Sequence, residues 1–454
     1  MKPLTAQQIA EILGASVASG NSAVLACGGV STDTRTLPKG AVFFALRGEN
    51  FDGDAFAKTA LELGAAVVVV HDWDGEAPVD AAVIEVPDTL RSLQRLAHWW
   101  RKQLDLPVVG ITGSNGKTST KDFTMAVLSR KFRVSATRGN LNNHIGVPLT
   151  VLATSPADEV AVWEMGMNHS GEIAPLCEIA RPKYGVITNI GTAHIEFLGT
   201  RDAIAEEKGM LARALPADGL LFVPASCDFN EYLRQRTKGG MIPVGNGRGL
   251  VRAEDLHYHA NHTVFKLVVE GEGSVEVTLP VPGKHMVTNA LLAAGVGWKL
   301  GVPIAEIAAG LSSTKLTEGR LDRYQSQGVT VIDDTYNANP ESVAAAIETL
   351  ADIPLENGGR RIIVLGRMGE LGIHSPAAHL RIGEIAIARS LAVIAVGEGA
   401  EGIARGANDA PYFSVFDDAA AWLSREAKPG DIVLFKGSRA ATVEKVMNLA
   451  FPRD

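Results

Sequence analysis

Short, wholly apolar runs alternate with amphipathic stretches along most of the chain. Ala41–Leu46 and Ala65–Val70 read as buried strands, with a helix over Ala55–Leu63 between them. Asp88 is placed to cap a helix reaching about Leu104, in which Leu93, Leu96 and Trp100 recur at helical spacing, and Pro107 closes it. From Val108 the rhythm becomes strand, loop, helix. Apolar runs lie at Val108–Thr112, Val160–Met165 and Tyr184–Ile190, and the first is followed by a helix over Ser119–Arg130. Runs apolar on both faces are expected of parallel strands covered by helices. Residues 251–280 break the pattern. Val264-x-Lys266-x-Val268 and Val275-x-Val277 alternate with a period of two, which predicts a hairpin excursion. A second βα series follows Leu316, with strands at Val329–Asp333, Ile362–Leu365, Ala392–Val396 and Ile432–Phe435, and predicts a separate doubly wound sheet.

At about 150 residues per domain, 454 residues suggest three domains. The expected class is α/β, with a small α/β region over 1–84, a central parallel-sheet domain over 85–315 and a C-terminal doubly wound domain over 316–454. Hydrophobic residues at 46% and charged residues at 21% exclude a disordered or fibrous chain. The 47 glycines exceed the usual share of ~7%, as many tight βα turns require. A net charge of −8 argues against a general nucleic-acid or anionic-membrane binder. The longest apolar runs fall far short of the ~20 residues of a spanning helix. Gln7, Gln8 and Glu11 interrupt any signal-peptide core, so no export is expected. Cys27, Cys177 and Cys227 are too few and too scattered for a disulfide frame or zinc site, and fit a reducing, cytoplasmic setting.

The strongest chemical signal is Gly110-Ile-Thr-Gly113-Ser114-Asn115-Gly116-Lys117-Thr118-Ser119, directly after a strand and before a helix. Backbone N–H groups of such a loop cradle phosphates. Lys117 would neutralise β/γ oxygens and the Thr118 hydroxyl would hold Mg²⁺. Ile111 stands where the standard phosphate loop has glycine, so this is a variant loop.

That variant resembles the Mur ligase superfamily, ATP-dependent amide-forming enzymes of bacterial cell-wall synthesis. Further segments agree over most of the chain: Ser31-Thr32-Asp33-Thr-Arg35, Gly139-Asn-Leu-Asn142-Asn143, Glu164-Met-Gly166, Thr188-Asn189-Ile-Gly-Thr-Ala-His194, Glu206-Glu207-Lys208-Gly, Gly283-Lys-His285 with Asn289, Gly319-Arg320, Asp333-Asp334-Thr-Tyr336-Asn337-Ala-Asn339-Pro340 and Lys436-Gly-Ser438-Arg439. Two of them, EMGMNHSGEI and DDTYNANP, look like the branch that joins D-alanyl-D-alanine to UDP-N-acetylmuramoyl-tripeptide. The resemblance implies a central ATPase-like P-loop domain, a C-terminal Rossmann-like ligase domain and an N-terminal domain for the UDP end of the substrate. It implies ATP, two Mg²⁺ ions and a monomer with no nucleic-acid or membrane partner.

It also assigns roles. Lys117, Lys208, His194 and Arg320 would be catalytic. Residues 113–119, Asn289, Arg320, Asp334 and Tyr336 would bind the nucleotide. Ser31, Thr32, Arg35, Asp52, Asn142, Asn143, Asn337, Lys436 and Ser438 would bind substrate. The metals would take Thr118, Glu164, His194 and Lys208, the last as a carbamate. On the helix Asp202–Ala214, Ile204, Lys208 and Leu211 share an inward face, with Glu206 and Glu207 turned elsewhere. Burial there would favour the neutral amine that CO₂ needs.

Other patterns carry less. His257-x-His259-xx-His262 lies in the β excursion without cysteine or clear carboxylate partners, so it reads as structural. Gly366-Arg-Met-Gly-Glu370-Leu-Gly372 after a strand is not GxGxxG, and gives little reason for a dinucleotide site. Where the family commonly has His-Asn, this chain has His285-Met286, so Met286 offers adenine no polar contact. The alternatives are another amino-acid ligase of the superfamily, or a P-loop NTPase or kinase that forms no amide.

Overall fold

The computed structural model describes residues 1–48, 51–355 and 358–453. Three large sheets, each flanked by helices, together with two small two-stranded ribbons, give the three-part α/β architecture that the patterning predicts.

The first sheet has five strands in the order Val17–Gly20, Ala82–Glu85, Val67–Val70, Val42–Phe44 and Val30–Ser31. The predicted helix between its apolar strands is a 3-10 turn, Gly53–Phe56, running into Ala57–Glu62. A helix not read from the pattern, Ala6–Leu13, precedes the sheet. Thr5 starts it with a capping box to Gln8, so two otherwise orphaned donors are satisfied. Asp88 caps Thr89–Gln103 through the Arg91 N–H, as expected.

The central sheet has nine strands, and Val108–Thr112 lies between Val160–Glu164 and Tyr184–Ile187, all parallel. The predicted hairpin is present, and the structure adds a third strand to it and shows which sheet it joins. Val251–Tyr258, Thr263–Val269 and Gly273–Leu279 form an antiparallel meander that extends this same sheet, joined in parallel through Gly240–Asn246. Alternation showed one solvated face but not which sheet the strands would join.

The third sheet orders Asp322–Ser326, Val329–Asp333, Ile432–Lys436, Arg361–Leu365, Ala392–Val396 and Tyr412–Phe413, with only the first pair antiparallel. Its inner strands Val329–Asp333, Ile432–Lys436 and Arg361–Leu365 are almost wholly buried, as a parallel sheet covered on both faces demands. One continuous apolar core runs from Leu4 through the central sheet to Leu434, so the three sheets pack as neighbours. The carboxyl ends of the central strands therefore face the third sheet. Among the described residues no helix is long and apolar enough to cross a membrane.

Candidate active site

The helix Lys117–Leu128 follows strand Val108–Thr112 and starts at Gly116, φ +80°, with no side-chain cap. Its first backbone donors are thus left for a ligand, at the positive end of the helix dipole. Glycine is obligatory in the loop. A Cβ at Gly113 (φ +149°) would overlap Thr188 Oγ1, and one at Gly116 would meet Asn289 Oδ1 at 2.6 Å. The loop is tied from below, with Ser114 and Asn115 N–H donating to the Asn189 carbonyl and Oδ1.

This helix start opens on a cleft of about 580 Å³. Around it stand Ser114–Ser119, Asn142, Asn143, Glu164, His194, Asn289, Arg320, Asp334, Tyr336, Asn337, Lys436 and Ser438. Gly113 and Lys208 are buried and do not line it, though Lys208 is near enough to Lys117 to feel its charge. Ser31, Thr32, Arg35 and Asp52 do not line it; they lie on the N-terminal sheet's edge and loops. There Arg35 pairs with Asp33 at 2.6 Å, holding that carboxyl at about 2, chiefly through the guanidinium hydrogen bond. Asp52 pairs with Arg47, whose guanidinium also holds Asp54 and Asp72. Glu49 and Asn50 of that loop lie outside the described residues.

Glu164 ends strand Val160–Glu164, 2% exposed. Its Oε2 accepts the Thr118 hydroxyl at 2.9 Å and its Oε1 accepts Asn142 Nδ2 at 2.8 Å. A buried carboxylate and hydroxyl side by side are the hard oxygen donors that Mg²⁺ prefers. Asn142 therefore orients Glu164, and Asn143 caps the turn into the helix Gly146–Ala153. Lys117 Nζ donates to the Gly113 carbonyl at 2.8 Å, and burial lowers its pKa, with Glu164 acting against that and Arg320 reinforcing it.

His194 is held at φ +66°, an uncommon conformation for a non-glycine residue. Its Nδ1 lies 2.6 Å from Glu370 Oε2 but is poorly aligned for a hydrogen bond. The nitrogen is buried, so it retains a lone pair or proton to share. Lys208, 1% exposed, makes no hydrogen bond or ion pair among the described residues, and burial, with Lys117 nearby, drives its pKa well below the ordinary lysine value. As an ammonium it does not suit a cation site; as a carbamate it would offer two oxygens. Glu207 departs from expectation: it is 2% exposed, and its carboxylate accepts the Gly171 and Ile173 N–H groups at 2.7 Å each. The buried face of this helix is wider than the spacing suggested.

Two contacts bring the third sheet's segments to the phosphate loop, and another reaches His194. Arg320 Nη2 donates to Thr118 Oγ1 at 2.9 Å, with its guanidinium 4.2 Å from the Tyr336 ring centre. Asn339 Nδ2 donates to Asn115 Oδ1 at 2.7 Å, and Glu370 reaches His194. Asn339 and Glu370 were present in quoted motifs without a role, because a residue in a turn gives no sign of what it meets 200 residues away. Asp334 and Lys436 face each other as a 2.6 Å ion pair, and Lys436 also donates to the Asn337 carbonyl. Ser438 Oγ is buried without a partner. Asn289 Nδ2 points to Met286 Sδ at 3.8 Å, so Met286 packs against Asn289 and offers the cleft no polar group of its own. His285 beside them is kept at about 4 by burial, with Lys436 adding to it and Asp334 opposing. The His259 and His262 rings merely stack, 4.3 Å apart.

The Mur ligase family catalytic domain matches residues 27–101, the Mur ligase middle domain 111–297 and the Mur ligase glutamate ligase domain 319–439. UDP-N-acetylmuramoyl-tripeptide–D-alanyl-D-alanine ligase of Escherichia coli (strain K12) is 36% identical over 460 residues, covering 98% of each chain. The enzyme of the same name from Bacillus subtilis (strain 168) is 37% identical over 458 residues, covering 98% of this chain and 97% of its own. Among solved structures, MurF from Acinetobacter baumannii superposes with a TM-score of 0.91 at 32% identity over 100% of both chains. MurF ligase from Thermotoga maritima in complex with ADP superposes with a TM-score of 0.83 at 29% identity, covering 93% and 96%. A variant phosphate loop, facing an arginine from a second α/β sheet, is thus matched along the whole length of the chain, which belongs to the Mur ligase family.

Proposed function

We propose that this chain is the ATP-dependent carbon–nitrogen ligase that joins D-alanyl-D-alanine to UDP-N-acetylmuramoyl-tripeptide, releasing ADP and phosphate, in peptidoglycan-precursor synthesis. The observation that carries the reading is the meeting of Lys117, Thr118 and Arg320 at one uncapped helix start, in a chain matched end to end by ligases of that name.

A carboxylate is a poor electrophile, so it must be activated. The tripeptide carboxylate attacks the γ-phosphorus of ATP and ADP leaves, giving an acyl phosphate. The dipeptide amine then attacks the acyl carbon, and the tetrahedral intermediate expels phosphate. The loop N–H groups and Lys117 hold the β/γ-phosphates, and Arg320 meets charge that builds on the transferring group. Thr118 and Glu164 would hold one Mg²⁺, and His194 with a carbamate on Lys208 a second; bound there, the ions neutralise phosphate charge. The Lys208 amine forms its carbamate by attacking CO₂ and releasing one proton. Docking of the third sheet over the cleft keeps water from the acyl phosphate.

Residues 1–84, with Ser31, Thr32, Arg35 and Asp52, hold the UDP end; 85–315 hold ATP; 316–454 close over both and present Asn337, Lys436 and Ser438 to the peptide substrates. Asp334, Tyr336 and Asn289 flank the nucleotide. The enzyme acts as a monomer in the cytoplasm, where ATP and a UDP-linked precursor are both in solution. A mass-resolved ligation assay with D-alanyl-D-alanine and tripeptides ending in meso-diaminopimelate or L-lysine tests this. The expected product is a UDP-linked pentapeptide with stoichiometric ADP. Phosphate release independent of any amine would make the chain a nucleotidase instead.

A further inference from the structure

We infer that Glu341 is a positioning residue for this reaction: from the C-terminal sheet's first helix it grips the turn that carries His194, so that domain docking itself sets the His194 imidazole in place. The inference deepens the ligase reading and rests on it for the role of His194.

Glu341 is the second residue of helix Pro340–Asp352, whose start is fixed by the Asn339 cap and whose dipole favours a carboxylate there. Its Oε1 accepts the Thr192 N–H and its Oε2 accepts the Thr192 hydroxyl, both at 2.9 Å. The partners are 149 residues apart and belong to different sheets. Gly191 makes the approach possible, since a Cβ there would stand 3.0 Å from the Glu341 carboxyl carbon. The Gly191 N–H donates to Ser114 Oγ of the phosphate loop at 2.9 Å. The turn is thus pinned by the nucleotide loop on one side and by Glu341 on the other.

Two residues on, His194 sits in the left-handed region, which a bulky residue adopts only when its surroundings impose it. Local support is a single turn of backbone bonds: the Thr192 carbonyl accepts the Ile195 N–H, the His194 carbonyl accepts the Phe197 and Leu198 N–H groups, and the helix Ile195–Leu198 has no side-chain cap. The Glu370 backbone carbonyl accepts the Glu196 N–H at 3.2 Å, closing the same segment from the far end. With the C-terminal domain undocked, the Thr192 N–H and hydroxyl and the Glu196 N–H lose their acceptors together. Among the described residues no hydrogen bond or ion pair joins Glu341 to His194 itself, so its effect is transmitted through the turn.

The test uses the full-length enzyme and its Glu341→Ala, Glu341→Gln, Thr192→Val and Glu341→Ala/Thr192→Val variants. Steady-state ligation gives kcat and KM for ATP. Amide hydrogen exchange over residues 190–198 is followed with and without AMPPNP, Mg²⁺ and UDP-N-acetylmuramoyl-tripeptide. Glu341→Ala should lower kcat by about 10- to 100-fold, the scale of a misplaced catalytic group, while KM for ATP stays within about threefold. Glu341→Gln keeps a carbonyl for the Thr192 N–H and should recover most of that loss. The double variant should be no worse than Glu341→Ala, because the two partners share one interaction. Protection of 190–198 should appear on ligand addition in the wild type and be lost in Glu341→Ala. Unchanged protection, unchanged kcat, a Gln variant as poor as Ala, or fully additive losses would each overturn the inference. Exchange needs no turnover, so a wild type that fails to ligate would sink the ligase reading while still deciding the grip on the turn.

Discussion

Lys208 is the side chain whose surroundings fit its ordinary chemistry least. It is buried to 1% exposure with no acceptor, and Lys117 lies close enough to oppose a second positive charge. An unpaired buried ammonium costs several kcal/mol, so the neutral amine is favoured. That amine is a nucleophile for CO₂, and the carbamate turns a misfit cation into an acceptor-only anion. Lys208→Ala should therefore lose most ligation, on the order of 100-fold or more for a metal-holding group. Millimolar formate or acetate should restore part of it by occupying the vacated space. Lys208→Arg should gain nothing from either salt, because a permanent cation still fills the site. Carbon-13 NMR of enzyme equilibrated with labelled CO₂ should show a carbamate carbon that is absent in both variants. A wild-type spectrum without that signal, taken with nucleotide and Mg²⁺ present, would leave the second metal without its anionic ligand.

Among the elements, the loop after strand Arg361–Leu365 depends on one histidine in the next helix, Ser375–Ala388. His379 is 3% exposed; its Nε2 accepts the Met368 N–H at 2.8 Å and its Nδ1 faces the Ser375 carbonyl at 2.7 Å. That arrangement requires a neutral ring, protonated on Nδ1 alone. Burial holds its pKa below the ordinary value of about 6.5, with Arg367 helping and the Ser375 carbonyl and Glu401 opposing. Because the folded state refuses a proton that the unfolded chain accepts, this stability is complete above about pH 6.5 and is lost as pH falls toward the folded pKa. Wild-type Tm should fall more steeply between pH 7 and 5.5 than that of His379→Gln, which accepts the same N–H without titrating. Parallel curves would show that the loop does not rely on His379. Elements such as this strand and the phosphate loop were legible in the sequence because their causes are local: apolar runs, glycines, a lysine at a helix start. The loop's contact was not. Glu370 stood in a weak glycine motif with no role of its own, yet it lies 2.6 Å from His194, and Glu207 read as turned away from the inward face though it caps a neighbouring helix. Such pairings depend on how separate elements pack, and no periodicity encodes them.

At the scale of the whole molecule, segments of the central and third sheets more than 300 residues apart, such as Ser114 and Ser438, line one cleft, and the segment joining these two sheets has its own anchor. Buried Asp122, paired with Lys121 at 2.8 Å, accepts both the N–H and the hydroxyl of Thr317. Arg320 follows three residues later, so the anchor fixes where its guanidinium is delivered. Its Nη2 donates to Thr118 Oγ1 while its Nε, buried, has no acceptor, which leaves donor capacity beside the phosphate loop. In the proposed reaction backbone N–H groups and Lys117 would already hold the nucleotide, so the arginine would add little to ground-state binding. Its charge gains value as the γ-phosphoryl group transfers. Arg320→Ala should thus lower kcat by about 100-fold while the Kd of ATP changes no more than about threefold. Arg320→Lys should recover only part, because an ammonium cannot reach Thr118 and the phosphate with a planar fork. Calorimetric titration with AMPPNP, set beside steady-state ligation, separates the two quantities. Equal losses in ATP affinity and kcat/KM, with kcat unchanged, would make Arg320 a simple binding group and remove the chemical reason for the third sheet to close on the first helix of the second.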